Sequence, residues 1–301
     1  MDFGRFRQWM IAQVALGILR ALKILPADAA LNFAARLARR IAPKLRRHRL
    51  VLTNLRNAFP EKTPEEIETL AAASWEHLGR MAAEYVFFEK LFMTHPVGQA
   101  GSRVEIVGQE HLVDLLARPR AFIFATAHTG NFECLPYGAT AWGIPVAVLF
   151  RPPNNPFIAE HLARLRGAGS EKLVPSYAGS SKVLARQLAA GEGIGVLVDQ
   201  KFNRGVEARF FGLPATTNPL VPRLVRQFHC DVVPVRSIRT EGNRYRIEVS
   251  APMELPRNAE GEIDVEASCQ AINDMVEAWV REYPEQWLWY HDRWNVRKTA
   301  R

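Results

Sequence analysis

Six short apolar runs between residues 104 and 250 constrain the fold most: VEIV (104–107), AFIFATA (121–127), PVAVLF (145–150), GIGVLV (193–198), DVVPVRSI (231–238) and YRIEVS (245–250). Each has the length of a buried strand. Between them lie stretches with helical character, at 110–117, 132–142, 156–166 and 180–190. Such alternation predicts an α/β fold, with a mostly parallel mixed sheet flanked by helices. The last two runs, joined by RTEGN, read as an antiparallel hairpin. A final helix is expected over 265–283, before the aromatic tail PEQWLWYHDRW.

Residues 1–92 read as helical throughout, broken near Pro26, Pro43 and FPEKTPEE. Thr63, then Pro64, Glu65 and Glu66, is a strong helix start, and that helix should run to about Leu91. No repeat or linker divides the rest. The expected organisation is an anchoring helix over 1–26 and one α/β domain over 27–301, whose first part (27–95) is a helical entry region.

The net charge of +8 is unevenly placed: residues 1–60 hold twelve arginines and lysines against Asp2 and Asp28. The stretch WMIAQVALGILRALKIL (9–25) is apolar apart from Gln13, Arg20 and Lys23, and an acid-free cluster follows from Arg36 to Arg56. Two cations near the end of the apolar stretch suit a helix lying in one leaflet better than a spanning one. An apolar anchor beside a basic cluster predicts an anionic membrane surface, on the cytoplasmic face of the inner membrane. The ordinary alternative is a buried amphipathic helix beside a solvated basic one. No small-residue cleavage site follows the apolar stretch, which argues against a secretory signal. Cys134, Cys230 and Cys269 are far apart and match no metal or disulfide spacing.

In a parallel sheet, functional groups gather at the carboxyl ends of strands. AFIFATA ends there on the segment AHTGNFE, with His128 at the strand end, Gly130 permitting a tight turn, and Glu133 in the first turn of the next helix. A strand-to-helix turn allows His128 and Glu133 to meet as a general-base dyad, contributing on the order of 10²–10⁴ in rate. Taken alone, the spacing favours a satisfied histidine and a solvent-facing acid, since the two fall five apart often by chance. Asn131 in the same turn is a candidate substrate contact. Arg151, emerging after PVAVLF before two prolines, is placed to grip phosphate or to pair with a surface acid. Asp199, after GIGVLV, reads either as an orienting acid or as a loop cap. Phe202, Phe210, Phe211 and Leu213 are candidates to line an acyl channel, the alternative being plain core.

HTGNFE resembles the H-x4-D/E motif of glycerolipid-type acyltransferases. The ordered set NLRNAFPE (54–61), HLGRMAAEY (77–85), FRPPNNP (150–156), RLRGAGS (164–170), VDQKFNRGVEARFFGLPATT (198–217), VVPV (232–235) and QWLWYHDRW (286–294) resembles the late acyltransferases of lipid A biosynthesis, the lauroyl/myristoyl transferase family of the lysophospholipid acyltransferase superfamily. The resemblance implies that His128 is the general base with Glu133 as its partner. It implies a functional arginine at Arg166, with Arg164 as the competing assignment, and a third-block acid at Asp199. It further implies transfer from acyl carrier protein, with acyl-CoA as the other donor, to a lipid A precursor or another glycolipid. No metal or organic cofactor is implied. The tail departs from the family's pattern at Asp292, where an arginine is usual, which leaves open a role in binding phosphate.

Rival chemistries find less support. No G-x-S-x-G elbow or H-E-x-x-H motif occurs, and the glycines of GEGIGVLV enter a strand instead of leaving one. Cys134 as an acyl-accepting nucleophile is disfavoured, because a helix would turn it about 100° from Glu133. The alternative acceptors are a lysophospholipid or a phosphatidylinositol mannoside. The alternative class is a non-catalytic basic protein binding membrane or nucleic acid; for an acyltransferase no nucleic-acid partner is expected.

Overall fold

A computed structural model describes residues 3–95, 97–117, 120–150, 155–160, 172–176 and 179–295. Helices α1 (Phe3–Leu22), α2 (Ala27–Ile41), α3 (Arg46–Ala58) and α4 (Pro64–Phe88) come first. The start of α4 is the one its sequence predicts: the Thr63 hydroxyl accepts from the Glu66 amide, and the Glu66 carboxylate accepts from the Thr63 amide. A π-helical turn at Glu89–Met93 extends it. Where α2 crosses α4 at Gly79, a Cβ would lie 2.6 Å from the Ala34 carbonyl oxygen, so only glycine allows this approach.

The sheet comprises β1 (Val104–Val107), β2 (Phe122–Thr126), β3 (Val146–Phe150), β4 (Lys172–Pro175), β5 (Gly193–Leu197), β8 (Asp231–Thr240) and β9 (Arg244–Val249), in the order β1-β9-β8-β2-β5-β3-β4. Every neighbouring pair is parallel except β8 and β9, the expected antiparallel hairpin. The α/β class and the mostly parallel mixed sheet are thus as the apolar runs predict. Helices α5 (Gln109–Ala117), α6 (Cys134–Ala141), α7 (Ser180–Ala189), α8 (Leu220–Phe228) and α9 (Val265–Glu282) cover its faces. Alternation along β2 sends Ile123 and Ala125 to a core shared with α3, α7, α8 and α9, and Phe122 and Phe124 to a second core on the opposite face.

β4 and one hairpin escape the sequence pattern. β6 (Val206–Phe210) and β7 (Leu213–Thr217) form a separate hairpin whose turn is Phe211-Gly212, both with positive φ (53° and 72°). A two-residue turn of this hand normally carries Asn-Gly or Asp-Gly, so a bulky residue in the left-handed position hides it.

On α1, Ala12 and Leu16 are buried, while Phe3, Met10, Ile11, Val14 and Ile18 face outward, Phe3 at 83% exposure. On and after α2, Phe33, Leu37, Ile41 and Leu45 repeat that exposure every four residues. No helix among the described residues is long and apolar enough to cross a membrane.

Candidate active site

The parallel register of β2 and β5 assembles the site. Thr126 stands opposite Leu197, and the pairing continues with the Val198 amide donating to the Thr126 carbonyl. One step further, His128 and Asp199 face each other at the carboxyl ends of adjacent strands. The His128 amide donates to Asp199 Oδ2 (2.9 Å), and His128 Nδ1 lies 2.7 Å from Asp199 Oδ1. Trp287 Nε1 donates to the same carboxylate at 2.7 Å.

Burial works against the ionised form of Asp199. The charge of His128, its two hydrogen bonds and that of Trp287 outweigh the burial and hold the carboxyl down at about 2. A carboxylate accepts only, so Nδ1 carries the proton and Nε2 presents its lone pair. Gln200 Nε2 donates to that lone pair at 3.0 Å. His128 thus turns Nε2 toward the cavity, where the Gln200 side-chain amide covers it.

The sequence assigns the imidazole's acidic partner to Glu133, and here the structure corrects it. Both ring nitrogens of His128 have partners, Asp199 and Gln200, and neither is Glu133. Helix α6 begins at Cys134, leaving Glu133 at its N-cap, one residue short of the expected first turn. Its amide donates to Asn131 Oδ1, and its carboxylate accepts from Tyr85 at 2.9 Å. Glu133 still lines the same cavity as His128.

Asn131 is 2% exposed, and its amide nitrogen donates to Glu84 Oε2 at 2.8 Å, so it braces the turn instead of meeting substrate. Gly130 has φ 55°, and a Cβ there would stand 2.2 Å from the Ser237 carbonyl oxygen. Only glycine fits both demands. Its carbonyl accepts from His77 Nε2 (3.0 Å) and its amide donates to the Gln286 carbonyl. Arg239 joins this scaffold through Glu84, Tyr245 and His77. Burial foremost, then the Arg239 charge, push His77 down to about 3, so it stays neutral.

The site opens into a cavity of about 1020 Å³. Phe124, Val148, Gly195, Val235 and Ile247 form its sheet-side wall, and Leu135, Gly138 and Ala139 of α6 face them. The far wall reaches Ile106 and Leu112; Phe202, Lys201, Leu288, Tyr290 and His291 also line the cavity. Of the aromatic residues expected to line an acyl channel, Phe202 lines this cavity. Phe210 and Phe211 do not: they pack against Trp287, Trp289 and Trp294 in the core beneath the hairpin. Leu213 pairs with Phe210 across that turn. Arg151, Arg164 and Arg166 lie outside the described residues. Cys134 is buried, and burial pushes its thiol up to about 12, the opposite of an activated nucleophile.

Sequence reasoning missed three contributors. Trp287 holds Asp199, and His291 lines the cavity, pushed down to about 4 by burial against the pull of Asp199. Gln200, beside Asp199, caps the base. The tail motif was visible, but nothing in its spacing reveals that it returns to the site. Asn54 donates to the carbonyls of Trp289 and His291, and Arg47 to that of Tyr290, so α3 clamps it there. Arg293 is buried under the hairpin, donating to Thr216 and Thr217, and does not reach out for phosphate.

A histidine held at the end of a strand and opening on a largely apolar cavity suits an enzyme that moves an acyl chain. The comparisons agree: the family model for the bacterial lipid A biosynthesis acyltransferases matches residues 3–296, and the chain belongs to that family. Among relatives, it is 24% identical to the lipid A biosynthesis lauroyltransferase of Escherichia coli K12 over 96% of this chain and 89% of the relative. It is also 24% identical to the palmitoleoyltransferase of the same organism (99% and 95%), and to a phosphatidylinositol mannoside acyltransferase of Mycolicibacterium smegmatis (78% and 74%). The protein is an acyltransferase.

Proposed function

We propose that this enzyme transfers a fatty acyl group from the thioester of an acyl carrier protein to a hydroxyl of a lipid A precursor, at the cytoplasmic face of the inner membrane. The observation that carries the reading is the His128 imidazole, fixed by Asp199 at an apolar cavity large enough for an acyl chain. The acceptor hydroxyl displaces the Gln200 amide and donates its hydrogen bond to His128 Nε2. As its oxygen attacks the thioester carbonyl, the proton passes to Nε2, and Asp199 stabilises the imidazolium. The tetrahedral oxyanion collapses, the C–S bond breaks, and the leaving thiolate takes the proton from the imidazolium. The relatives' names support a lipid A acceptor; the mycobacterial relative supports a phosphatidylinositol mannoside as the second reading.

The test is purified enzyme in detergent with acyl carrier protein and CoA thioesters, against lipid A precursors, phosphatidylinositol mannosides and lysophospholipids, read by mass spectrometry. The expected product is an acylated glucosamine-based lipid made from the carrier-protein donor. Transfer only to a glycerolipid would remove the lipid A assignment.

A further inference from the structure

The cavity wall contains a gap that the fold does not require. Gly193 and Gly195 stand two apart in β5, so both project to the face that the cavity occupies. Glycine weakens a strand interior, and a buried central strand otherwise favours valine or isoleucine. At Gly193 packing explains the choice: Phe122, its register partner on β2, lays its ring into the space, and a Cβ would stand 2.1 Å from that ring. At Gly195 no such neighbour exists. A Cβ would meet Val146 Cγ1 at 3.5 Å and Val148 Cγ2 at 3.6 Å, ordinary contacts, and the φ of Gly195 is not in the left-handed region. Neither packing nor backbone conformation asks for glycine there. What the missing side chain leaves is cavity.

Gly195 pairs with Phe124, four residues before His128. At ~3.3 Å per residue that places it about 13 Å beneath the imidazole along the strand direction. We infer that Gly195 sets the length of acyl chain the enzyme accepts: the distal part of the chain lies against the bare backbone at this position. A side chain here would occupy that space without disturbing the base. The inference rests on the acyl-transfer reading above.

Its test is a donor series from octanoyl to palmitoyl carrier protein, with initial rates for the wild type, Gly195→Ala and Gly195→Val, and melting temperatures for each. The expected result is that Gly195→Val raises the ratio of short-chain to long-chain rates about tenfold or more, the scale on which a hydrophobic pocket discriminates methylenes. Gly195→Ala should fall between. An unchanged chain-length profile overturns the inference, as does an equal loss with every donor at the wild-type melting temperature. Should Gly195→Val fail to fold, Gly195→Ala is judged by the same ratio. A wild type that transfers no acyl chain would sink the functional reading and this inference together; a working wild type whose profile neither variant moves would sink the inference alone.

Discussion

His128 has two acids within a short reach in the chain or the sheet, and the hydrogen bonds assign them different tasks. Asp199 takes three bonds, from the His128 amide, the His128 ring and Trp287, and is 3% exposed. Glu133 takes the Tyr85 hydroxyl and lines the cavity. Asp199→Asn removes the charge that stabilises the imidazolium and presents a group able to donate toward Nδ1, so the wrong tautomer becomes available. Its kcat should fall on the order of 10²-fold or more. Glu133→Gln keeps a hydrogen-bond acceptor for Tyr85 and should cost less than about tenfold in kcat, with any larger effect falling on KM. Steady-state kinetics on the two variants decides the assignment; a larger kcat loss in Glu133→Gln would restore the pairing read from the motif. The sequence offers His128 with Glu133 as its partner and leaves Asp199 as an orienting acid or a loop cap. The choice is made by strand order: β5 pairs with β2 although β3 and β4 intervene in the chain. No local pattern encodes that adjacency.

At the scale of elements, most of the sheet is legible because a strand buried on both faces must be apolar along its length. All six apolar runs became strands, and Thr63 capped its helix as read. β4 and the β6–β7 hairpin were not legible, the latter because Phe211 holds the turn position that usually announces a hairpin. The N-terminal helices carry the membrane reading. The exposed apolar residues of α1 and the Phe33-Leu37-Ile41 stripe of α2 are flanked by Arg20, Lys23, Arg36, Arg40 and Lys44. Burying these residues in a leaflet, with the cations among the head groups, accounts for both features. Replacing Val14 and Ile18 by serine should weaken co-sedimentation with anionic vesicles about tenfold or more, and raised salt should weaken the wild type's binding further. Binding unaltered by these substitutions would remove α1 from the membrane contact.

The whole molecule couples its helical entry region to its catalytic turn through buried polar groups. HLGRMAAEY supplies His77 to the Gly130 carbonyl, Glu84 to Asn131 and Arg239, and Tyr85 to Glu133. This block of the helical entry region is therefore a brace for the site. This brace has an acid limit. His77 is held down at about 3 and His291 at about 4, against an ordinary 6.5. Between those values and 6.5 the unfolded chain binds protons that the folded one refuses, so stability falls as pH drops from 6.5. Each histidine contributes a slope of about 1.4 kcal/mol per pH unit in this window. Asp199, lowered from 3.8 to about 2, adds its own loss only as pH falls below 3.8. Urea unfolding at pH 6.5 and pH 5 should show His77→Gln losing about 2 kcal/mol less than the wild type over that interval. Equal losses would mean that His77 is not held neutral in the fold.

The proposed function rests on His128 taking the proton from the acceptor hydroxyl. The most direct measurement is single-turnover acyl transfer from carrier-protein thioester to a lipid A precursor by the wild type and His128→Ala, at matched melting temperatures and saturating acceptor. The expected result is a loss in rate on the order of 10²–10⁴. Transfer by His128→Ala within about threefold of the wild type, below the range that loss of a general base produces, would contradict it.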